Sequence, residues 1–356
     1  MKGIIQFSLL AVVAQSSCAA VLRGRGHSFQ RLWLNTPNRS DQPTTTSTDA
    51  QVGFIVRTWH KHFDTKLDAI MRTWGPSVNN GFLLVVGDES SKDPQVIGAP
   101  MCGSDHSCGL ACRTSFGLEH AAEMMPKADW FFVADDDLYV MTANVRHMLT
   151  KYNASVPIAL GIVGCGRDEK LCEDHKGGFC GGGGYVMSRA ALRAMVSEVK
   201  DAQSEPSLRR EMIEATADWN LTNGYDDTAA TCVMKRRGIQ VEDIKGLYAW
   251  APPKVTNPQA FYEHAISSVD PIPLSFHYLN PQMMLAVHDL VLAHSYNQEA
   301  VHFFNKTYKT ASSLNFFHLS AMSSGNQDYQ TQRESYVEEV NHQRYLMRRP
   351  PGDQDY

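Results

Sequence analysis

The amino-acid sequence predicts an α/β domain with a mostly parallel β-sheet flanked by helices, and two patterns indicate this fold class. Short apolar runs typical of buried strands alternate along the chain with segments of helical periodicity. The apolar runs are residues 52–56, 82–86, 130–134, 158–163 and 185–187. Apolar side chains spaced three and four apart predict the helices, as in Leu118, Ala121, Ala122 and Met125. Because open α/β sheets bind ligands at the carboxyl ends of their strands, residues that follow these runs are candidates for function.

The two ends of the chain differ in composition from its middle. Residues 1–20 join Lys2 to an apolar run and a small-residue stretch, which predicts a signal peptide or a short anchor. Residues 21–50 are polar and typical of a flexible stem, and residues 323–356 form a polar C-terminal tail. Residues 51–322 are therefore expected to form a single folded domain. We expect entry into the secretory pathway, to the ER or Golgi lumen, either membrane-anchored by an uncleaved N-terminus or soluble after signal cleavage.

Charge and composition exclude one class of partner. The chain has 356 residues, of which 43% are hydrophobic and 20% charged, with a formal net charge of −5. This is ordinary globular composition, and it supplies no basic field for nucleic acid. We therefore expect no nucleic-acid partner.

Seven of the eight cysteines lie after the predicted signal, which contains Cys18. Their spacing lacks the nearby histidine pair of common zinc sites, and an oxidising lumen favours disulfides. An odd number leaves one thiol free or paired with a second copy of the chain in a homodimer. The seven are Cys102, Cys108, Cys112, Cys165, Cys172, Cys180 and Cys232.

Three consecutive carboxylates, Asp135, Asp136 and Asp137, follow the apolar run at 130–134. Like charges this close raise one another's pKa unless a cation or hydrogen-bond donors compensate them. Oxygen ligands of this kind suit Mg²⁺ or Mn²⁺, which bridge carboxylates to nucleotide phosphates. The alternative is a solvated acidic turn before a helix beginning near Thr142, with Asp137 as a cap.

A run of four glycines, residues 181–184, precedes the apolar run at 185–187. Glycine permits positive φ and close approach of the backbone to a ligand. The run precedes a strand instead of opening a helix after one, so it does not match a dinucleotide-binding fingerprint. The alternative is a plain flexible turn.

The ordered set of motifs resembles the fringe-like and core 1 β1,3-galactosyltransferase families of glycosyltransferases. The resemblance covers roughly residues 52–295, and each matching element is weaker evidence than their common order. The elements are Arg57-Thr58, Arg72-Thr73-Trp74, the loop bracketed by Cys102 and Cys112, the acidic triplet, Cys180 to Arg189 with the glycine run, Asp226-Asp227, and Ser275-Phe276-His277-Tyr278.

The resemblance implies a GT-A-type (Rossmann-like) domain that transfers galactose or N-acetylglucosamine, with inversion, from a UDP-sugar to a glycoprotein or glycopeptide O-glycan. It also implies Mn²⁺ or Mg²⁺, bound by Asp137, Asp135 and His277. The donor-binding residues that it implies are Arg57, Thr58, Asp135, Asp136, Gly182, Gly183 and Gly184. As in fringe, Cys102 and Cys112 would pair. Fringe has a further disulfide that this chain lacks, and two of Cys165, Cys172 and Cys180 are expected to bridge instead.

Inversion requires a base that takes the acceptor hydroxyl proton, and the acidic pair supplies the candidates. Asp227 is the first choice for this catalytic role and Asp226 the second. Both could instead cap a helix over residues 228–236. Since the chain has 14 histidines, His277 alone would be a surface or hydrogen-bonded core residue, and only its setting in the motif favours metal binding.

Two other functions remain open from the sequence. One is an inactive, secreted lectin-like homologue that keeps the fold without the chemistry. The other is a metal-dependent phosphohydrolase that uses the acidic triplet, although such sites usually need more converging carboxylates or histidines.

Overall fold

The computed structural model describes residues 50–78, 81–91, 96–165, 172, 177–197, 207–250 and 258–307. The predicted signal peptide or anchor, the stem up to residue 49 and the polar tail lie outside these residues. The chain divides into two compact units, residues 1–295 and 296–356. Of the second unit, only residues 296–307 are described, and they belong to the last helix.

The sheet region contains twelve strands among the described residues. In chain order they are β1 (Val52–Arg57), β2 (Leu83–Gly87), β3 (Val96–Gly98), β4 (Trp130–Asp135), β5 (Tyr139–Val140), β6 (Ile158–Gly161), β7 (Val163–Cys165), β8 (Gly178–Phe179), β9 (Tyr185–Ser188), β10 (Gln240–Asp243), β11 (Leu247–Tyr248) and β12 (Ser275–Phe276).

Nine α-helices are described in the same residues, and none of them is long and apolar enough to cross a membrane. In chain order they are α1 (Asp68–Arg72), α2 (Cys108–Met124), α3 (Thr142–Leu149), α4 (Arg189–Val196), α5 (Leu208–Ala217), α6 (Trp219–Thr222), α7 (Asp226–Arg236), α8 (Pro258–Ile266) and α9 (Pro281–Thr307). A π-helical turn, Phe63–Leu67, leads into α1.

Seven strands form the main sheet, in the order β10-β6-β9-β4-β1-β2-β3. β1 is parallel to β2 and β4, and the β2–β3 and β6–β10 pairs are also parallel. β9 alone in this sheet runs antiparallel, between β4 and β6. The prediction of an α/β fold with a mostly parallel sheet is confirmed.

Helices cover both faces of this sheet, as β4 illustrates. Successive side chains of a strand point to opposite faces, and Phe132 packs into one core cluster while Phe131 and Val133 pack into the other. The Phe132 cluster includes side chains of α3, α8 and α9, and the other includes side chains of α2, α4, α5 and α7. Burial on both faces explains why the strands read as continuous apolar runs.

Among the residues that the structure describes, three disulfides join loops and helices around this sheet. Cys102–Cys112 is present as predicted, and Cys165–Cys180 provides the expected bridge within the second group. The third, Cys172–Cys232, ties the chain before β8 to α7 across 60 residues. Of the two outcomes expected for the odd cysteine, a free thiol is wrong, because no described cysteine is free. Spacing along the chain did not show which distant sulfurs the fold brings together.

Candidate active site

The acidic triplet begins at the carboxyl end of β4, beside the end of β1. The parallel register places Arg57 directly opposite Asp135, and the guanidinium Nη2 lies 2.6 Å from Asp135 Oδ1. Nη1 of Arg57 contacts Asp226, so this cation joins the triplet to the start of α7. Burial alone would lower the pKa of Arg57, but Asp135 and Asp226 raise it. With 2% of its surface exposed, Arg57 is a buried bridge between two acids.

Asp136 is held by side chains that follow β1. The Thr58 hydroxyl donates to Asp136 Oδ2 at 2.8 Å, and His62 Nδ1 lies 2.8 Å from the same oxygen. The ammonium of Lys66 is 3.2 Å from Asp136 Oδ1. Asp136 is buried, and both of its carboxylate oxygens have partners.

Asp137 and His277 meet because two short strands pair. β12 runs antiparallel to β5, with Phe276 opposite Tyr139, so the residue after β12 lies beside the residues before β5. His277 Nε2 is 3.1 Å from Asp137 Oδ1, and the backbone N–H of Leu279 donates to the Asp137 carbonyl at 3.0 Å. Burial would raise the pKa of Asp137, but His277 and Lys66 lower it to about 2.

The imidazole of His277 has a fixed orientation. Its Nδ1 lies 2.9 Å from the Ala249 carbonyl and donates to it, and Nε2 is directed toward Asp137. A backbone carbonyl on the far nitrogen is the usual support of a metal-binding histidine. The next residue, Tyr278, has a φ of 61°, which is rare outside glycine and occurs where function constrains the backbone.

The glycine run passes between His277 and Asp227. A Cβ on Gly182 would lie 2.3 Å from the His277 ring, and one on Gly181 would lie 2.4 Å from Asp227 Cβ. Side chains would thus push these two residues away from the backbone. Within the run, positive φ occurs at Gly184, at 79°. The glycine run therefore mainly lets the backbone lie close to neighbouring side chains, and within the run only Gly184 is required by its positive φ.

The acidic pair opens α7, two residues earlier than predicted, and its two members have different partners. Asp226 turns to Arg57 and accepts a hydrogen bond from the Thr114 hydroxyl at 3.2 Å. Asp227 accepts backbone N–H donors at both oxygens, from Gly181 at 2.6 Å and from Thr228 at 2.7 Å. The Thr228 bond meets one free amide of the helix, so part of the capping alternative holds for Asp227.

The pKa of Asp227 suits a general base. Burial, followed by the adjacent charge of Asp226, raises it to about 7, while the amide of Gly181 acts in the opposite direction. A carboxylate poised near neutral pH is what proton abstraction at physiological pH requires. Asp226 is instead held in an ion pair with the buried Arg57.

The donor set fits a divalent metal only in part. Among the described residues, no group of three or more His, Cys, Asp or Glu side chains converges at metal distance. Asp137 and His277 are in contact and could supply two ligands, whereas Asp135 is directed to Arg57. Two protein ligands suit a metal that completes its shell with diphosphate oxygens.

Charge compensation of the triplet comes from this chain's own cations and donors. The sequence did not predict Lys66 and His62 as members of this site, because apolar periodicity indicates buried faces and gives no information on polar partners. It also missed Thr114, which lies inside α2. The signal that could have identified Lys66 is a basic residue in the turn that follows β1 and leads into α1.

Known proteins are similar in sequence to parts of this chain. The chain is 28% identical over 172 residues to chondroitin sulfate synthase 3 of Homo sapiens, a match that covers 45% of this chain and 19% of that protein. It is 28% identical over 188 residues to glycoprotein-N-acetylgalactosamine 3-beta-galactosyltransferase 1 of Xenopus laevis, covering 48% of each. The chain thus spans about a fifth and about half of the lengths of these relatives.

A solved structure of a glycosyltransferase involved in glycosylation of the major capsid of PBCV-1 is 15% identical, with a TM-score of 0.35, covering 64% of this chain and 94% of that one. The model of the Fringe-like family matches residues 47–308, which include both the acidic triplet and His277. Because this match spans most of the chain, the protein belongs to the Fringe-like family.

Proposed function

We propose that this protein is an inverting, metal-dependent β1,3-glycosyltransferase that transfers galactose or N-acetylglucosamine from a UDP-sugar to a glycoprotein or glycopeptide O-glycan. One observation carries the proposal. The glycine run lies against both His277, which contacts the acidic triplet, and Asp227, whose pKa suits a base. In this proposal His277 serves the donor and Asp227 the acceptor, and both lie against one backbone segment.

Asp227 is the base in this proposal. As the acceptor hydroxyl oxygen attacks the anomeric carbon, its proton passes to the Asp227 carboxylate, and the bond between that carbon and the diphosphate oxygen breaks. Attack opposite the leaving UDP inverts the configuration. Asp226 acts as a positioning residue, because its ion pair with Arg57 fixes the first turn of α7, on which Asp227 lies.

Asp137 and His277 would hold the metal, and the donor diphosphate would complete its shell. A carboxylate beside an imidazole favours Mn²⁺ over the strictly oxygen-preferring Mg²⁺. When bound, the ion supplies positive charge to the departing diphosphate. Thr58 and Asp136 line the same edge of the sheet, and Gly182, Gly183 and Gly184 offer backbone to the donor. Arg57, expected as a donor contact, acts through Asp135 instead, since it is buried between two acids.

The relatives and the disulfides support the finer parts of the proposal. One relative is by name a galactosyltransferase that acts on N-acetylgalactosamine of glycoproteins, which favours an O-glycan acceptor. Three disulfides suit an oxidising compartment, so we infer residence in the secretory pathway, in the ER or Golgi lumen.

The test is calorimetry of UDP binding with Mn²⁺ and with a chelator, for the native protein and for Asp137→Ala. We expect UDP binding that needs the metal and is lost in the variant, with unfolding temperature preserved. The matched control is Asp129→Ala, because Asp129 directly precedes β4, at the opposite end of that strand from the triplet. Equal UDP affinity with and without chelator would refute the metal site.

A donor screen then tests the reaction. UDP-galactose and UDP-N-acetylglucosamine are offered with an O-glycopeptide array, and the anomeric configuration of the product is read by NMR. Glycan binding without donor turnover would support the lectin-like alternative. Hydrolysis of nitrophenyl phosphate without transfer would support the phosphohydrolase.

A further inference from the structure

Lys66 is the cation of the acidic triplet that faces solvent. It lies in the π-helical turn before α1, and its Nζ is 3.2 Å from Asp136 Oδ1 and 3.2 Å from Asp137 Oδ2. Its side chain is 25% exposed, whereas that of Arg57 is 1% exposed. Arg57 is thus locked in place, whereas the partly exposed Lys66 can leave the triplet.

Lys66 contacts the carboxylate that a metal would need. Asp137 directs Oδ1 to His277 and Oδ2 to Lys66, so both of its oxygens already have cationic or N–H partners. A divalent ion that binds between Asp137 and His277 would bring two positive charges next to the ammonium. Like charges at this separation repel strongly in a partly buried site. The metal and Lys66 therefore cannot both be held well by the donor-free protein.

We propose that Lys66 competes with the divalent metal for Asp137 in the donor-free protein and moves to the diphosphate of the nucleotide-sugar when donor and metal bind together. This inference rests on the proposed function. The lysine stem has four flexible carbons, and an ammonium binds phosphate oxygens as a point charge, so the transfer needs only side-chain rotation. The donor brings its own negative charge, which relieves the repulsion. Metal binding would then depend on the nucleotide, and free metal would be held weakly.

The test measures Mn²⁺ binding without nucleotide, by the loss of the paramagnetic resonance signal of free Mn²⁺. The native protein is compared with Lys66→Met and with Lys61→Met. Lys61 is a matched control because it lies in the same segment, stacks 4.5 Å from the Trp59 ring, and loses the same charge. We expect Lys66→Met to bind Mn²⁺ more tightly by up to about fivefold, the effect of removing one partly exposed ion pair. Lys61→Met should bind it like the native protein.

The second measurement is UDP affinity at saturating Mn²⁺, for which Lys66→Met is expected to have the opposite effect. Lys66→Met should bind UDP several-fold more weakly, because the diphosphate loses a cation, while Lys66→Arg should behave like the native protein in both assays. Unchanged or weaker Mn²⁺ binding by Lys66→Met would overturn the proposal.

Folding and the proposed function are controlled separately. If Lys66→Met unfolds, Lys66→Gln replaces it, and added Mn²⁺ should raise its unfolding temperature more than that of the native protein. If the native protein binds no UDP even with Mn²⁺, the proposed function fails as well. If the native protein binds UDP in a metal-dependent way but Lys66→Met and Lys66→Gln keep the native Mn²⁺ affinity, the role of Lys66 is refuted while the proposed function stands.

Discussion

Replacement of Asp227 by asparagine separates chemistry from structure at the candidate base. Asp227 accepts one backbone N–H at each carboxylate oxygen, at 2.6 Å and 2.7 Å. An amide has one acceptor oxygen, so its NH₂ group must face one of these two donors. Leaving a buried donor unsatisfied costs about 1–3 kcal/mol of unfolding free energy. Asp227→Asn should therefore be moderately less stable, while kcat falls at least ~10²-fold through loss of the base.

The assay pairs steady-state transfer rates with urea unfolding at a temperature where the variant stays folded. Asp218→Asn is the matched control, because Asp218 accepts two backbone amides of α6 through its Oδ1 alone, and asparagine can accept both. It should keep native stability and kcat. UDP affinity should be native in both variants. A kcat for Asp227→Asn near that of the native protein would refute the assignment.

The pH dependence of kcat tests the same residue without a substitution. The base must be deprotonated, and burial together with Asp226 raises the pKa of Asp227 to about 7. The rate should therefore be full above this value and fall as the pH drops through it. The raised pKa also means that the native state favours the protonated carboxyl of Asp227. The contribution of Asp227 to folding stability therefore declines as the pH rises from the ordinary pKa of an aspartate to about 7. A rate that stays constant from pH 5 to 8 would contradict this reasoning.

Two further predictions concern the supports of the site. Gly182→Ala should displace the imidazole that its Cβ would meet at 2.3 Å, and metal-dependent UDP affinity should fall at least ~10-fold, the range for lost support of a metal ligand. Gly183→Ala, whose Cβ would meet its nearest neighbour at 3.3 Å, should lose less, and equal losses in calorimetry would contradict the argument. Replacing Cys172 and Cys232 together by serine opens a loop of 60 residues and should lower the unfolding free energy by about 4 kcal/mol. Urea unfolding of the double variant measures this, and a loss below that of opening Cys102–Cys112, which spans 10 residues, would disagree with the entropic reasoning.

Strand positions were the part of the fold that the sequence predicted best. The run at 130–134 is β4 almost to the residue, because a strand buried on both faces has a continuous apolar signal. The run at 158–163 was read as one strand, but it divides at Ile162 into β6 and β7. β7 leaves the sheet to pair with β8, and periodicity holds no information on such a change of partner. The strand β10 was missed, since its residues are largely polar and at the sheet edge.

The members of the candidate site were predicted individually, whereas their partners were not. Asp137 and His277 were expected to share a metal, and the structure places them in contact. That contact depends on antiparallel pairing of two-residue strands, which no composition signal marks. Lys66 was missed for a related reason. Its relation to the triplet arises only when the turn after β1 folds back toward the end of β4.

The different partners of the acidic pair follow from helix geometry. Successive residues on a helix point about 100° apart, so Asp226 and Asp227 cannot both face the same group. Asp226 faces the buried Arg57, and this leaves Asp227 to face the glycine run. An arginine that holds Asp135 and Asp226 at once ties the acidic triplet to the helix that carries Asp227. One guanidinium paired with two acids thereby fixes how the triplet and the start of α7 lie relative to each other, and this pairing explains why Arg57 is buried.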